Sequence, residues 1–439
     1  MVVTAGAWPS AFTILRCLLA VSVLAAGDAR SQDAGAARAR ALVIDDVTVI
    51  DVIAGNAIPN RRVIVRGDTI VDVLSASLPL SDDAGVTING RGLYLIPGLV
   101  DHHVHLSADM VNDLERAARG GVTMVQAMAG DNRAAGNLAR AVMAAEIAGP
   151  RIAYASVMAG PDFFRDPRFQ SAGLGFEPGM APWAQAVTDE TDVVTAVAAA
   201  RGSGAEVLKL YAMMDGDLIA RLTAEAHRQG MRVVAHATVF PATPAQLVRA
   251  EVDVLTHAPY LSWQGTAAIG ADDAWERRNG PYTQVDPDGP ELRAVMRTMA
   301  AGGMYLEPTL WVFQRGTPDS VLIAWSETVT RTAQAAGVAI LAGTDGLIDR
   351  DPRALPNVHR EMAALVAAGL SPTQALRAAT ATPARAMGRA GTHGAVAPGF
   401  VADLILLSAN PLESIAATTQ IAYVILRGRL LDRSAGRGR

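Results

Sequence analysis

Leu99-Val100-Asp101-His102-His103-Val104-His105 is a short apolar run that ends among histidines, and its reading decides the fold. With Pro97-Gly98 in front of it, the run predicts a buried strand. The alternation of side chains along a strand puts His103 and His105 on one face and turns His102 to the other. Further short apolar runs follow at Val122 to Met128, Arg151 to Val157, Val207 to Tyr211, Arg232 to His236, Val254 to His257, Met304 to Leu310 and Ala339 to Thr344. Between them lie longer alanine-rich stretches with helical spacing: Ala108 to Arg119, Arg133 to Ala148, Asp192 to Arg201, Leu218 to Gln229, Pro290 to Ala301, Ser320 to Ala336 and Val358 to Ala368, with Pro372 to Met387 as an extra terminal helix. Strands that alternate with helices build a parallel sheet, and eight such units close into a barrel. The fold class expected is therefore α/β, a (β/α)8 TIM barrel over residues 97–387, with an open doubly wound sheet as the alternative that the pattern alone leaves open.

Outward from the barrel the texture changes. From Ala41 to Ile96 short β-rich runs are separated by Gly, Pro, Asn and Asp, and the same texture returns after Gly391. Residues 38–96 and 388–433 are expected to share one small β-sandwich built from both chain ends. Phe12 to Ala26 is apolar apart from Arg16, and its core from Cys17 is too short to span a bilayer, which takes about 20 apolar residues. Residues 1–29 read as a secretory signal with cleavage near Ala26 to Ala29, which would place the mature protein in the periplasm or outside the cell with no stable membrane span; an uncleaved anchor or a mis-assigned start is the alternative. Cys17 is the only cysteine, so the mature chain has no disulfide to form. The net charge is −5, and the one basic run is the short tail from Arg433 to Arg439. That balance offers no footprint for nucleic acid and favours a small-molecule or short-peptide partner; association into a homo-oligomer is left open.

The polar candidates all sit at the same end of a predicted strand, and in a barrel that end forms a single mouth. His103 and His105 close the first strand, His236 the fifth, His257 the sixth and Asp345 the eighth. Imidazole and carboxylate are the ligands that zinc and its neighbours take. Lys209 is the only lysine of the chain and closes the fourth strand between Leu208 and Leu210. Apolar neighbours push an amine toward its neutral, nucleophilic form, which can combine with carbon dioxide. The carbamate so formed is an anionic two-oxygen ligand able to bridge two cations, which an arginine cannot become. His227 and His359 fall inside helices and His393 in a late loop, where packing or surface roles are expected.

At this point the sequence resembles the amidohydrolase superfamily, in its imidazolonepropionase-like and Xaa-Pro-dipeptidase-like branch. Ile96-Pro97-Gly98-Leu99-Val100-Asp101-His102-His103-Val104-His105 is similar to that family's first-strand signature, and Pro398-Gly399-Phe400-Val401-Ala402-Asp403-Leu404 with Asn410-Pro411-Leu412 to its closing segment. Phe400 departs from the basic residue often found there. The resemblance implies two divalent ions, zinc by default: His103, His105 and Asp345 on the more buried one, His236 and His257 on the more exposed one, and carbamylated Lys209 between them. It implies hydrolysis of an amide, peptide-like or cyclic amide C–N bond by a metal-bridging hydroxide, with Asp345 as general base and then general acid. A one-metal deaminase would carry a glutamate shortly after the fifth-strand histidine, where this chain has Ala237-Thr238-Val239-Phe240. A non-enzymatic scaffold on the same fold would be missing a ligand, and none is missing. Substrate contacts are expected from the long loops Met158 to Ala186 and Pro259 to Gly289, from Tyr211, and from Arg165 and Arg168.

Overall fold

The barrel strands are β1 (Leu99–Val104), β2 (Val122–Ala127), β3 (Arg151–Ala159), β4 (Val207–Leu210), β5 (Arg232–His236), β6 (Val254–Thr256), β7 (Tyr305–Glu307) and β8 (Ala339–Ile340). The computed structural model describes residues 41–79, 84–166, 173–265, 280–316, 318–351 and 353–432. The expected leader over residues 1–29, the tail from Arg433, and Arg168 and Trp275 of the long loops lie outside the described residues. Each barrel strand pairs in parallel with the next. The ring closes where the chain beyond β8 meets β1: the His102 amide donates to the Ala342 carbonyl at 3.0 Å, and the Thr344 and Asp345 amides donate to the His103 carbonyl at 3.2 and 2.9 Å. All six residues of β1 and all four of β4 are buried, which is why β4 reads as an apolar run broken only by Lys209 and β1 begins as one at Leu99-Val100.

The outer helices form where apolar residues recur at three and four. Gly216–Arg228 buries Leu218, Ile219, Leu222 and Ala226, and the Asp215 carboxylate accepts the Leu218 amide at 2.8 Å to start it. Two short helices, Pro244–Arg249 and Leu310–Gln314, go beyond what the spacing predicts. The terminal helix expected over Pro372 to Met387 is instead two, Pro372–Ala378 and Ala381–Ala386. The break has a physical cause: the Ala378 and Ala379 carbonyls accept the Ala342 and Val100 amides, and carbonyls turned to the barrel cannot continue a helical ladder.

Both chain ends enter one eight-stranded sheet, in the order Arg429–Leu430, Ile421–Leu426, Leu404–Leu407, Tyr94–Pro97, Ala41–Asp51, Asn56–Arg66, Thr69–Ser75, with Ala84–Asn89 also on Ala41–Asp51. Strand alternation divides its side chains between two cores. Leu404 and Leu406 join Ile44, Val63, Ile88 and Ile425 inside the sheet, while Ile405 and Leu407 join the barrel core. Phe400 packs against the sheet's own core, away from the barrel mouth. Among the described residues no helix is long and apolar enough to cross a membrane.

Candidate metal centre

β1 delivers the first ligand candidates. The His103 ring is buried, whereas the His105 side chain is 38% exposed. The ladder from β1 to β2 shifts register between Asp101 and Val104, so strict alternation fails there. As a result His102 does not turn away as the spacing predicts. Its Nδ1 and that of His103 both lie 2.5 Å from the Glu307 carboxylate, on Oε2 and Oε1. Glu307 ends β7 and is fully buried. Burial pushes its carboxyl up, but the His103 and His102 rings outweigh that and hold it at about 2. His103 is itself pushed down by burial, against the pull of Glu307.

Asp345 is placed by β1. Its amide bonds to the His103 carbonyl, its backbone takes the left-handed conformation (φ 53°), and its Oδ1 lies 2.8 Å from His105 Nε2 and 3.6 Å from His103 Nε2. The preceding Thr344 is fixed by Asp101, whose carboxyl lies 2.6 Å from the Thr344 hydroxyl and 3.1 Å from its amide. Burial raises the Asp101 carboxyl well above the usual carboxylate range. Asp345 goes the other way: burial pushes it up, and the hydrogen bond to His105 with the charges of His103, His105 and His257 holds it well below its ordinary value.

The remaining candidates continue the same wall. The His257 ring centroid lies 5.0 Å from that of His103, and His236 lies 4.9 Å from His257. Tyr260 stacks on His236 at 5.1 Å with a 20° interplanar angle, and the tilted Tyr211 ring lies 4.5 Å from it. Lys209 has no exposed surface; its Nζ donates to the Thr256 hydroxyl at 2.7 Å, lies 5.5 Å from the Tyr211 ring centroid, and is close enough to disfavour a charged His103. The structure thus brings His103, His105, Lys209, His236, His257 and Asp345 to one mouth. Burial does not divide the set by ion position: His103, at 0% exposed, is as buried as His236 and His257, at 2% and 1% under Tyr211, Tyr260 and Phe313, whereas the His105 side chain opens toward solvent.

The donor set fits a divalent ion. One ligand atom each from His103, His105 and Asp345 lies within 4.8 Å of the others. His103 Nε2 is buried and makes no hydrogen bond, while Glu307 takes the opposite ring nitrogen. An imidazole that gives Nδ1 to a carboxylate and leaves Nε2 facing a second carboxylate is the arrangement of an oriented metal ligand. Glu307 and Asp345, the two carboxyls held below their ordinary range, face these imidazoles beside the buried Lys209, an arrangement that suits a bound cation.

Other expected contacts are not at the centre. Arg165 is 81% exposed and paired to Asp162 at 2.8 Å. His227 bonds Asp253 at 2.9 Å, and His393 lies beside Thr392. His359 is buried between the Gly120 carbonyl (2.8 Å) and the Thr418 hydroxyl (3.1 Å), a packing role as read from its helix. Glu307 and Thr309, whose hydroxyl lies 2.8 Å from His257 Nδ1, are the site residues that the spacing did not single out. Glu307 carried a readable signal, since it is a carboxylate ending an apolar barrel strand, as Asp345 follows one.

The comparisons agree with this architecture. The chain is 27% identical over 434 residues to adenine deaminase 2 of Rhizobium meliloti, covering 96% of this chain and 60% of that protein. It spans, then, only about three fifths of the curated relative it matches. Among solved structures it is similar to phenylurea hydrolase B (22% identity, TM-score 0.71, 90% of this chain and 97% of that one). It is also similar to a Xaa-Pro dipeptidase with bound methionine in the active site (19%, 0.70, 89% and 99%) and to A. niger ochratoxinase (21%, 0.69, 90% and 96%). These structural likenesses carry the fold. The model of the Amidohydrolase family matches residues 94–431, most of the sheet's C-terminal half and the whole barrel, and the chain belongs to that family.

Proposed function

We propose that this enzyme hydrolyses a carbon–nitrogen bond of the amide, peptide-like or cyclic amide kind, with two divalent ions at the barrel mouth. The observation that carries the reading is the His103, His105 and Asp345 cluster, with ligand atoms within 4.8 Å, set beside His257, His236 and the chain's only lysine. His103, His105 and Asp345 would hold one ion and His236 and His257 the other, with Lys209 as a carbamate between them. The carbamate forms when the Lys209 Nζ lone pair bonds the carbon of carbon dioxide and a proton leaves the nitrogen. Bound there, the ions would supply Lewis acidity and a water of lowered pKa.

The chain's own groups do the rest. Asp345 Oδ1 accepts the proton of the attacking water and returns it to the departing nitrogen; held well below its ordinary value, the carboxyl is ionised and has the free lone pair that the first step needs. Glu307 fixes His103 with its proton on Nδ1, so that Nε2 faces Asp345. Tyr211, Tyr260 and Phe313 cover His236 and His257 and keep bulk water from that side. Tyr211, packed 4.5 Å from His236, is the candidate to touch a substrate oxygen. The secretory reading of residues 1–29 places the reaction in the periplasm or outside the cell, which fractionation of an epitope-tagged chain tests.

A second reading, deamination, draws on the name of the Rhizobium meliloti relative. Against it stands the absence of any carboxylate in Ala237-Thr238-Val239-Phe240 after His236. Zinc-loaded protein should be screened against N-acyl amino acids, Xaa-Pro and other dipeptides, cyclic amides, and adenine. Release of an amine or amino acid from the first groups supports the hydrolase; ammonia from adenine alone would replace it with the deaminase.

A further inference from the structure

We infer that Thr309 and Glu361 form a positioning relay that orients His257. Resting on the metal reading of the site, the inference goes beyond it to residues that touch no ion. His257 Nδ1 lies 2.8 Å from the Thr309 hydroxyl, which leaves Nε2 as the ring nitrogen offered to the mouth. Two backbone bonds set the same register: the His257 amide donates to the Glu307 carbonyl at 2.8 Å and the Ala258 amide to the Pro308 carbonyl at 3.1 Å. The end of β7 therefore grips the end of β6 by three bonds, one of them from a side chain.

Thr309 reaches the ring only because its backbone is left-handed, with φ 49° and ψ 49°. A β-branched residue rarely adopts that conformation, and it persists only where the surroundings over-determine it. Glu361 supplies the constraint. Its Oε1 accepts the Leu310 amide at 3.0 Å and its Oε2 the Trp311 amide at 2.7 Å, so both oxygens of one buried carboxyl fasten the two residues that follow Thr309. These amides open the helix Leu310–Gln314, whose first N–H groups have no partner within the helix. Glu361 stands on a different helix, Val358–Ala367, which ties the His257 side of the mouth to the helix that follows β8. Among the described residues, left-handed non-glycine backbone recurs around this mouth at His257, Thr309 and Asp345, which places conformational strain where orientation matters.

The test uses the full chain, with zinc alone as probe in competition with a chromophoric chelator, cobalt absorption as a report on ligand geometry, and thermal unfolding of the metal-free protein. Thr309→Val should weaken the step of zinc binding that involves His257 by about 10- to 100-fold and change the cobalt spectrum. Thr309→Ser, which keeps the hydroxyl, should bind as the wild type does. Glu361→Gln keeps one acceptor oxygen and sets an amide against a backbone N–H, so it should weaken the same step and leave the other intact. Wild-type affinity in Thr309→Val, or equal losses in the valine and serine variants, would overturn the relay. If the valine variant does not fold, unaltered zinc binding by Glu361→Gln overturns it. A wild-type chain that holds no zinc would overturn the metal reading itself, an outcome distinct from these.

Discussion

Replacing Glu307 by glutamine keeps the shape of the side chain and removes one acceptor. In the native site each carboxylate oxygen takes one imidazole, His102 on Oε2 and His103 on Oε1, both at 2.5 Å. A glutamine offers one carbonyl oxygen and one NH2, so a ring Nδ1–H must face a donor or turn its tautomer over. Loss of a hydrogen bond to a charged group costs about 1.5 to 3 kcal/mol. Loss of a partner behind a metal-bound histidine lowers affinity about 10- to 100-fold, or about 1.4 to 2.8 kcal/mol at 1.4 per decade. The two routes give the same size, and we expect Glu307→Gln to weaken zinc binding by one to two decades in chelator competition. The loss should fall on the step that uses His103. Wild-type zinc affinity in this variant would refute the claim that Glu307 orients His103.

Gly343→Ala would set a β-carbon 2.6 Å from Glu307 Cδ and 2.7 Å from His103 Cβ, both buried, so it should lower stability by about 1 to 3 kcal/mol and zinc affinity with it; unchanged melting and binding would contradict the packing described. His359 is pushed from 6.5 to about 4 by burial, so the unfolded ring gains its proton at higher pH than the folded one. Stability from this group is complete above pH 6.5 and is lost as pH falls toward 4, by roughly 3 kcal/mol; urea midpoints of His359→Gln should lack that decline, and a profile parallel to the wild type would refute it. Lys209→Arg should abolish turnover and strip metal, because a guanidinium cannot become a carbamate; most of the turnover surviving would refute the bridge.

The barrel was legible because its strands are buried on both faces, so Val207-Leu208-Lys209-Leu210 and its counterparts stand out as short apolar runs with their polar residues toward the C-terminal end. The same texture in the two chain ends announced a shared sheet. What escaped was set by tertiary contact. The split of Pro372 to Met387 depends on the Ala378 and Ala379 carbonyls meeting the barrel, which no spacing reveals. The helix Pro244–Arg249 is too short for periodicity, although Thr243-Pro244-Ala245-Gln246 spells its capping box. Of the six proposed ligands, the five that end strands or follow them could be read directly, and Lys209 by its singularity. The support behind them, from Glu307 to His102 and His103 and from Thr309 to His257, arises from a register shift in β1 and a left-handed turn after β7. Local pattern does not encode either.

The central claim is that six side chains from five strand ends hold a pair of ions, and metal content tests it most directly. Wild-type protein purified without chelator, supplied with zinc and bicarbonate and freed of excess, should carry about two ions per chain by elemental analysis, as two-metal hydrolytic sites do. A chain that retains none under these conditions would contradict the account.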